Sequence, residues 1–560
     1  MKKIAIIVLT GLALSSCSDE FITKDPLAVG SNVTFYDTPA NCELAVNAIY
    51  DPLQWEEMYS RNFWAFADVA SDDAEKGGGK DALQYKNDQL EMGDINNFNT
   101  TQLNAYVIQS WKNYYIGIGR ANALLDQTSD QLASKDSTIF KRYRGEARFL
   151  RAYFYFDLAR IWGPVPLVTS TVAPSDAKNI GNRAAGDDAV GTLQMKAVYD
   201  FVIDELTAIQ NDLPWTYDAD NFGRITRGTV QAMLAKALLY RADIFDQAAD
   251  YETSYQVSKT LIGSKDLTGY ELEQKYQDIF DMDLLNENSK EIVWAINFID
   301  ADSKDSYNRE GLGEGSIKST YVGPRFFVKD DGTVGECGAY GYGFDMPTQD
   351  LVDQFNPADP RLDMMYKPGD SIYFDAVTAG SPKFYKISYP SFTTGYYCKK
   401  AGLNYTKFAA ANKQCSGKNI PVIRYAEVLL NAAEAGYQAG HTAEALGYVN
   451  DIRERARNSK RTMTAFDTYT YTPGTIPASL TSLSSIDDIR DERRRELYLE
   501  VNRYFDVVRW GLDAQIFVAI KEDVAGNPVA YNPATLGRFP IPQEQIILHV
   551  GGNLIQNPGY

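Results

Sequence analysis

A cysteine near the start of this 560-residue chain, and two sets of tyrosines and aspartates further on, are the side chains best suited to chemistry. Cys17 follows a basic pair (Lys2, Lys3), an apolar run from Ile4 to Leu14 and the small residues Ser15-Ser16. That order predicts an export signal over residues 1–16 that ends in a lipobox, with cleavage before Cys17 and acylation of its thiol. The apolar run falls short of the ~20 residues that span a bilayer, so the expectation is a body tethered to a membrane by lipid. The second chemistry is the gripping of a polyhydroxylated ligand. Tyrosine offers a flat face for stacking and a hydroxyl for bonding, and carboxylates accept hydrogen bonds from ligand hydroxyls. Candidates are Asp72, Asp73 and Tyr85 in one loop region, and Tyr307, Tyr321, Tyr340, Tyr342, Asp345 and Tyr396 in another. Against this stands the commoner fate of such rings, which is to pack in a core.

Composition excludes several other chemistries. Two histidines, His441 and His549, argue against His-based triads and His-rich metal centres. A net charge of −19 repels phosphate backbones, so no nucleic acid is expected as a partner, whereas an uncharged ligand is unaffected. Gly77-Gly78-Gly79-Lys80 lacks the Ser or Thr that must follow the lysine of a phosphate-binding loop, because Asp81 stands there. Asp72-Asp73 lacks the spacing of a calcium loop. No cofactor or metal is expected. Outside the cytoplasm a disulfide is permitted, and Cys398 and Cys415, which flank a polar loop, are the pair expected to bridge.

Helices must position these groups. Phe149, Leu150, Tyr153, Phe154, Leu158 and Ile161 form one apolar face over residues 143–162, ended by Gly163-Pro164. A second helix is expected over 229–245, with its partner over 251–262. Pro421 is read as a helix start, two helices meet at Gly440-His441, and another helix runs from Ser485 to about Trp510. The helix pairs approach the ~34-residue unit of tetratricopeptide repeats. Between 263 and 420 the pattern changes to Gly, Tyr, Asp and Ser, with one strand expected over 291–298. The fold class is therefore mostly α: a tetratricopeptide-like scaffold of helical hairpins (about 39–262 and 421–511), a loop-rich ligand-binding lobe (about 263–420) and a C-terminal segment (512–560).

Several runs resemble one family. They are Arg144-Gly145-Glu146-Ala147-Arg148-Phe149-Leu150-Arg151-Ala152-Tyr153 leading to Trp162-Gly163-Pro164-Val165-Pro166-Leu167, and Ile420-Pro421-Val422-Ile423-Arg424-Tyr425-Ala426-Glu427 with Ala433-Glu434-Ala435. They continue with Glu492-Arg493-Arg494-Arg495-Glu496-Leu497, Arg503-Tyr504-Phe505-Asp506, Arg509-Trp510-Gly511, Pro540-Ile541-Pro542 and Gln556-Asn557-Pro558-Gly559-Tyr560. In that order, and with the lipobox, they resemble the SusD/RagB family of outer-membrane lipoproteins along essentially the whole chain. The resemblance implies a lipid-anchored protein on the outer face of the outer membrane. It implies capture of an oligosaccharide or polysaccharide, without catalysis, for a TonB-dependent (SusC-like) transporter. Two alternatives stay open: peptide capture, as in other family members, and a surface glycoside hydrolase, which needs two carboxylates roughly 5–10 Å apart. The Arg/Glu runs themselves are expected to form charge-paired networks between helices rather than to touch ligand.

Overall fold

Apolar residues at three- and four-residue spacing build most of the molecule as packed helices. The computed structural model describes residues 35–78, 88–128, 137–171, 180–281, 289–299, 315–328, 332, 334–336, 341–367, 370–373, 384–387, 395–402, 415–459, 472–518, 528–549 and 551–560. Cys17, Tyr85, Tyr307 and Tyr340 lie outside them. The first half of the scaffold comprises α1 (Pro39–Tyr50), α2 (Ala105–Gln127), α3 (Ser137–Trp162), α4 (Thr192–Ile209), α5 (Arg227–Phe245) and α6 (Ala248–Gly263). The second comprises α7 (Tyr425–Gln438), α8 (Thr442–Asn458), α9 (Asp487–Leu497), α10 (Arg503–Arg509) and α11 (Gln543–Leu548). From α2 to α6 each helix packs on the next in chain order; α6 then packs on α7 and so joins the halves across the intervening lobe. Local chemistry sets the ends. The Asn104 side chain accepts from the amides of Tyr106 and Val107 to start α2, and Thr226 with Thr229 forms a reciprocal cap on α5. Gly117 lets α3 approach α2, since a Cβ there would fall 2.4 Å from the Phe154 ring.

The lobe is made of short strands: β1 (Ala74–Gly77), β2 (Ile292–Ile296), β3 (Phe326–Val328), β4 (Val334–Glu336), β5 (Phe344–Pro347), β6 (Met365–Tyr366), β7 (Ser371–Tyr373), β8 (Phe384–Ile387), β9 (Tyr397–Cys398) and β10 (Ile420–Arg424). Most pair two by two, and one sheet has four strands in the order β4-β3-β8-β7. The β1–β5 pairing, with Ala74 opposite Pro347 and Gly77 opposite Phe344, ties the 68–78 loop to the lobe. The strand expected over 291–298 is β2. Pro421, read as a helix start, lies instead in β10 opposite Ala295, beside a register irregularity that its missing N–H suits; the helix begins at Tyr425. The single helix expected from Ser485 to Trp510 is two. Leu499 and Val501 take left-handed backbone, and Asp68 Oδ1 accepts from the Val501 amide at 2.9 Å, which turns the chain between α9 and α10.

One large apolar core fills the scaffold, and a smaller one under the lobe gathers Tyr276, Phe280, Leu351, Phe355, Cys398 and Tyr498. Buried ion pairs bind helix to helix and scaffold to lobe. Arg424 pairs with Glu500 at 2.5 Å and with Glu291, and Arg361 pairs with Glu492 at 2.7 Å and Asp359 at 2.8 Å. Glu427 holds Lys236 at 2.7 Å and Arg493 at 3.1 Å, and Glu434 holds Arg509 at 2.7 Å. The Arg/Glu runs are thus the charge-paired networks expected of them. The C-terminal motif locks onto the first one: Trp162 Nε1 donates to the Pro540 carbonyl at 3.0 Å, and Asn557 Nδ2 donates to the carbonyls of Trp162 at 2.7 Å and Phe539 at 2.8 Å.

Candidate functional site

The two loop regions with candidate ligand groups do meet, but not through the carboxylates. Asp72 and Asp73 are buried, and arginines occupy them. Arg503 Nε and Nη2 donate to the two Asp72 oxygens at 2.8 and 2.7 Å, and Arg494 Nε donates to Asp73 at 2.7 Å. Burial disfavours the Asp72 charge, yet Arg503 and Arg494 outweigh it and hold its carboxyl below the usual range; for Asp73 burial prevails and the shift is upward. Both residues, expected to bind ligand, fasten the loop to α9 and α10 in this structure and are closed off from solvent. Asp345, also expected at the site, is fully buried in β5. Tyr396 is half-buried, and burial followed by the nearby Asp353 charge raises its phenol.

Tyr321 and Tyr342 are brought together. Their rings meet edge to face at 5.7 Å, and Tyr321 also packs on Phe344 of β5 at 5.6 Å. The backbone sets this geometry: the Tyr342 amide donates to Thr320 O at 2.8 Å, and the Gly78 amide at the end of β1 donates to Gly343 O at 2.7 Å. Tyr321 is buried, with its hydroxyl at the edge of a polar group that residue types and spacing do not single out. That hydroxyl accepts from Gln89 Nε2 at 3.1 Å and donates to Glu56 Oε1 at 3.3 Å. Tyr106 donates to Gln89 Oε1, and Arg61 lies over the Tyr106 ring at 4.9 Å while pairing with Glu56 at 2.7 Å. Burial, then opposed by Arg61, raises the Glu56 carboxyl. Tyr342, Gln89, Arg61 and Glu56 are all partly exposed, so an aromatic ring and three polar side chains share one surface patch. Such a patch can stack on an apolar ligand face and bond to hydroxyls at its rim. Glu56, Arg61, Gln89 and Tyr106 come from chain segments far from Tyr321, so spacing could not reveal them.

Other reactive groups are engaged structurally. Cys398 and Cys415, expected to bridge, are both buried and are not joined to each other. Cys398 packs in the lobe core and Cys415 in the main core, which accounts for their separation. Lys400 and Lys418 line a cavity of only about 40 Å³, and burial lowers both to about 8. Lys418 Nζ nevertheless donates to the carbonyls of Phe280 at 2.9 Å and of Lys400 and Gly402 at 2.8 Å, which occupies its three donors. Among the described residues no group of three or more His, Cys, Asp or Glu could hold a metal ion, and no helix is long and apolar enough to cross a membrane.

This architecture, a helical scaffold bearing an aromatic surface patch on a loop-rich lobe, has counterparts among known proteins. Residues 290–560 match the family described as the SusD family, and residues 37–239 match the family described as starch-binding, associating with the outer membrane. The chain is a member of the SusD-like family. It is 26% identical over 572 residues to SusD-like protein P2 of Formosa agariphila, which takes in 100% of this chain and 99% of that protein. Its fold is similar to that of surface glycan-binding protein A from Bacteroides thetaiotaomicron, with a TM-score of 0.71, 23% identity and coverage of 94% of this chain and 100% of the other. A structure of that protein in complex with laminarihexaose matches with a TM-score of 0.69 at 22% identity, covering 92% and 99% of the two chains.

Proposed function

We propose that this protein captures a neutral oligosaccharide or polysaccharide at the outer membrane, holds it without chemical change and passes it to a TonB-dependent, SusC-like transporter. Acylated Cys17 would tether it there, facing outside. The observation that carries the reading is the patch formed by Tyr342 and Tyr321 with Gln89, Arg61 and Glu56, because it pairs a stacking ring with fixed hydrogen-bonding groups. Membership of a family whose relatives are named for glycan and starch binding supports the ligand class. The transporter and the tether rest on that membership and on the lipobox.

The test is affinity electrophoresis of the purified protein through gels containing laminarin, starch, xylan or galactomannan. Retardation by at least one is expected. Tyr342→Ala should weaken it about tenfold, as the loss of one stacking ring worth roughly 1.4 kcal/mol would. Incubation with the retained polysaccharide should release no new reducing ends; sustained release would replace this reading with a hydrolase.

A further inference from the structure

A second part of the surface shares the patch's chemistry. Two clefts of about 270 and 210 Å³ flank the loop 218–224 and meet at Gly223 and Asn297, close to the end of β2. They pack so closely there that a Cβ on Gly223 would fall 1.7 Å from Asn297 Nδ2, and Gly223 takes left-handed backbone at φ +85°. Phe222 lines both clefts with 53% of its surface exposed, so its ring face is open to an occupant of either. Trp215, Tyr217 and Tyr270 wall the smaller cleft, and Arg227 lies over the Trp215 ring at 5.0 Å. The Tyr217 hydroxyl is covered yet has no hydrogen-bond partner among the described residues, a costly state for a buried polar group.

The charges lining the clefts point to an uncharged occupant. Arg224 is consumed: it pairs with Glu43 and with Glu146 at 3.1 Å, and donates to Asn221 at 2.9 Å and Asn47 at 3.0 Å. Asp220 is the one other ionisable carboxylate or cation lining either cleft among the described residues. Beyond Asp220 the lining is rings, amides, hydroxyls and aliphatic side chains, with Asn297 and Gln54 among the amides. Gln54 Nε2 donates to the Asn297 carbonyl at 2.7 Å and so ties the cleft to the segment leading into the patch, because Glu56 is only two residues further on. We infer that the paired clefts are a second saccharide subsite, centred on Phe222 and Trp215, which extends the patch at Tyr342 so that one long glycan chain contacts both. This rests on the glycan-capture reading of the patch.

The experiment uses the full chain and the polysaccharides named above, followed by calorimetry with oligosaccharides of increasing length from whichever polysaccharide is retained. Wild-type affinity is expected to rise with length. In Phe222→Ala the rise should stop, with about a tenfold loss for the longest oligosaccharide and none for the shortest. Because Phe222 is exposed, this variant should keep the wild-type melting curve. Ligand should also quench tryptophan emission, and Trp215→Phe should remove part of that quench. If Phe222→Ala and Asn297→Ala both keep the wild-type dependence on length while Tyr342→Ala weakens binding, the subsite is overturned and the patch stands alone. If Tyr342→Ala binds normally and Phe222→Ala does not, the clefts are the site and the patch reading falls. If no polysaccharide retards the wild type, both readings fall.

Discussion

Arg494 and Arg503 close on Asp72 from α9 and α10; without the Asp72 carboxylate Arg494 keeps Asp73 and Asp350, but buried Arg503 loses its close partner. Breaking a buried ion pair on one side typically costs ~3–5 kcal/mol. Asp72→Asn is therefore expected to lower the melting temperature markedly while the folded fraction keeps its glycan affinity. Calorimetric unfolding beside affinity electrophoresis checks this, and a variant that melts normally but loses its ligand would return Asp72 to the binding site. The same residue shows where reading by residue type stops. A pair of aspartates in a loop looks like a set of free acceptors until its partners are known, and these lie 421 and 431 positions away. Tyr321 and Tyr342 were legible as rings in a loop-rich lobe. Their polar companions Glu56, Arg61 and Gln89 were not, because only the folded chain sets them beside the rings.

At the scale of elements, α9 carries the charges that join scaffold and lobe. Glu492 is fully buried; burial opposes its charge, but Arg361, Arg495 and Arg453 outweigh that and hold its carboxyl down to about 2 from an ordinary 4.5. A depressed carboxyl contributes stability that is present above about 4.5 and lost as the pH falls through 2. Asp68, at the turn between α9 and α10, works in the other direction. Burial raises it to about 7, above the opposing pull of Lys318 and the Val501 amide, so its contribution is present below 3.8 and lost as the pH rises through 7. Stability measured by denaturant titration should fall off on both sides of a weakly acidic optimum. Glu492→Gln should be less stable at neutral pH but flatter on the acid side, and Asp68→Asn should be flatter on the neutral side only. If both variants keep the wild-type slopes, these groups do not set the curve. Periodicity made the helices themselves legible, since α3, α5, α6, α7 and α8 fall where apolar spacing puts them. It failed at the α9–α10 turn because that break depends on a tertiary bond from Asp68, and at Pro421 because strand pairing with β2 overrides a local preference for a helix start.

At the scale of the whole molecule, a net charge of −19 makes salt a direct probe of ligand class. Charges exposed on such a surface act over a Debye length of about 10 Å at 0.1 M salt and about 3 Å at 1 M. A neutral glycan has no charge to be repelled or drawn in; at the two candidate surfaces Arg61 is paired with Glu56 and Arg224 with Glu43 and Glu146, while Arg227 over Trp215 donates to the carbonyls of Leu213 and Asn211. Affinity for the retained polysaccharide should then change by less than about twofold between roughly 0.05 and 0.5 M sodium chloride. An anionic glycan such as a sulfated or uronic-acid polymer would behave differently: repulsion from the acidic body would relax as salt rises, and binding would strengthen. A steep fall with salt would instead require a cationic ligand drawn to the acidic surface. Either slope would remove the neutral glycan from the reading and leave the aromatic patch needing a charged partner, which its internally paired Arg61 and Glu56 are poorly arranged to hold.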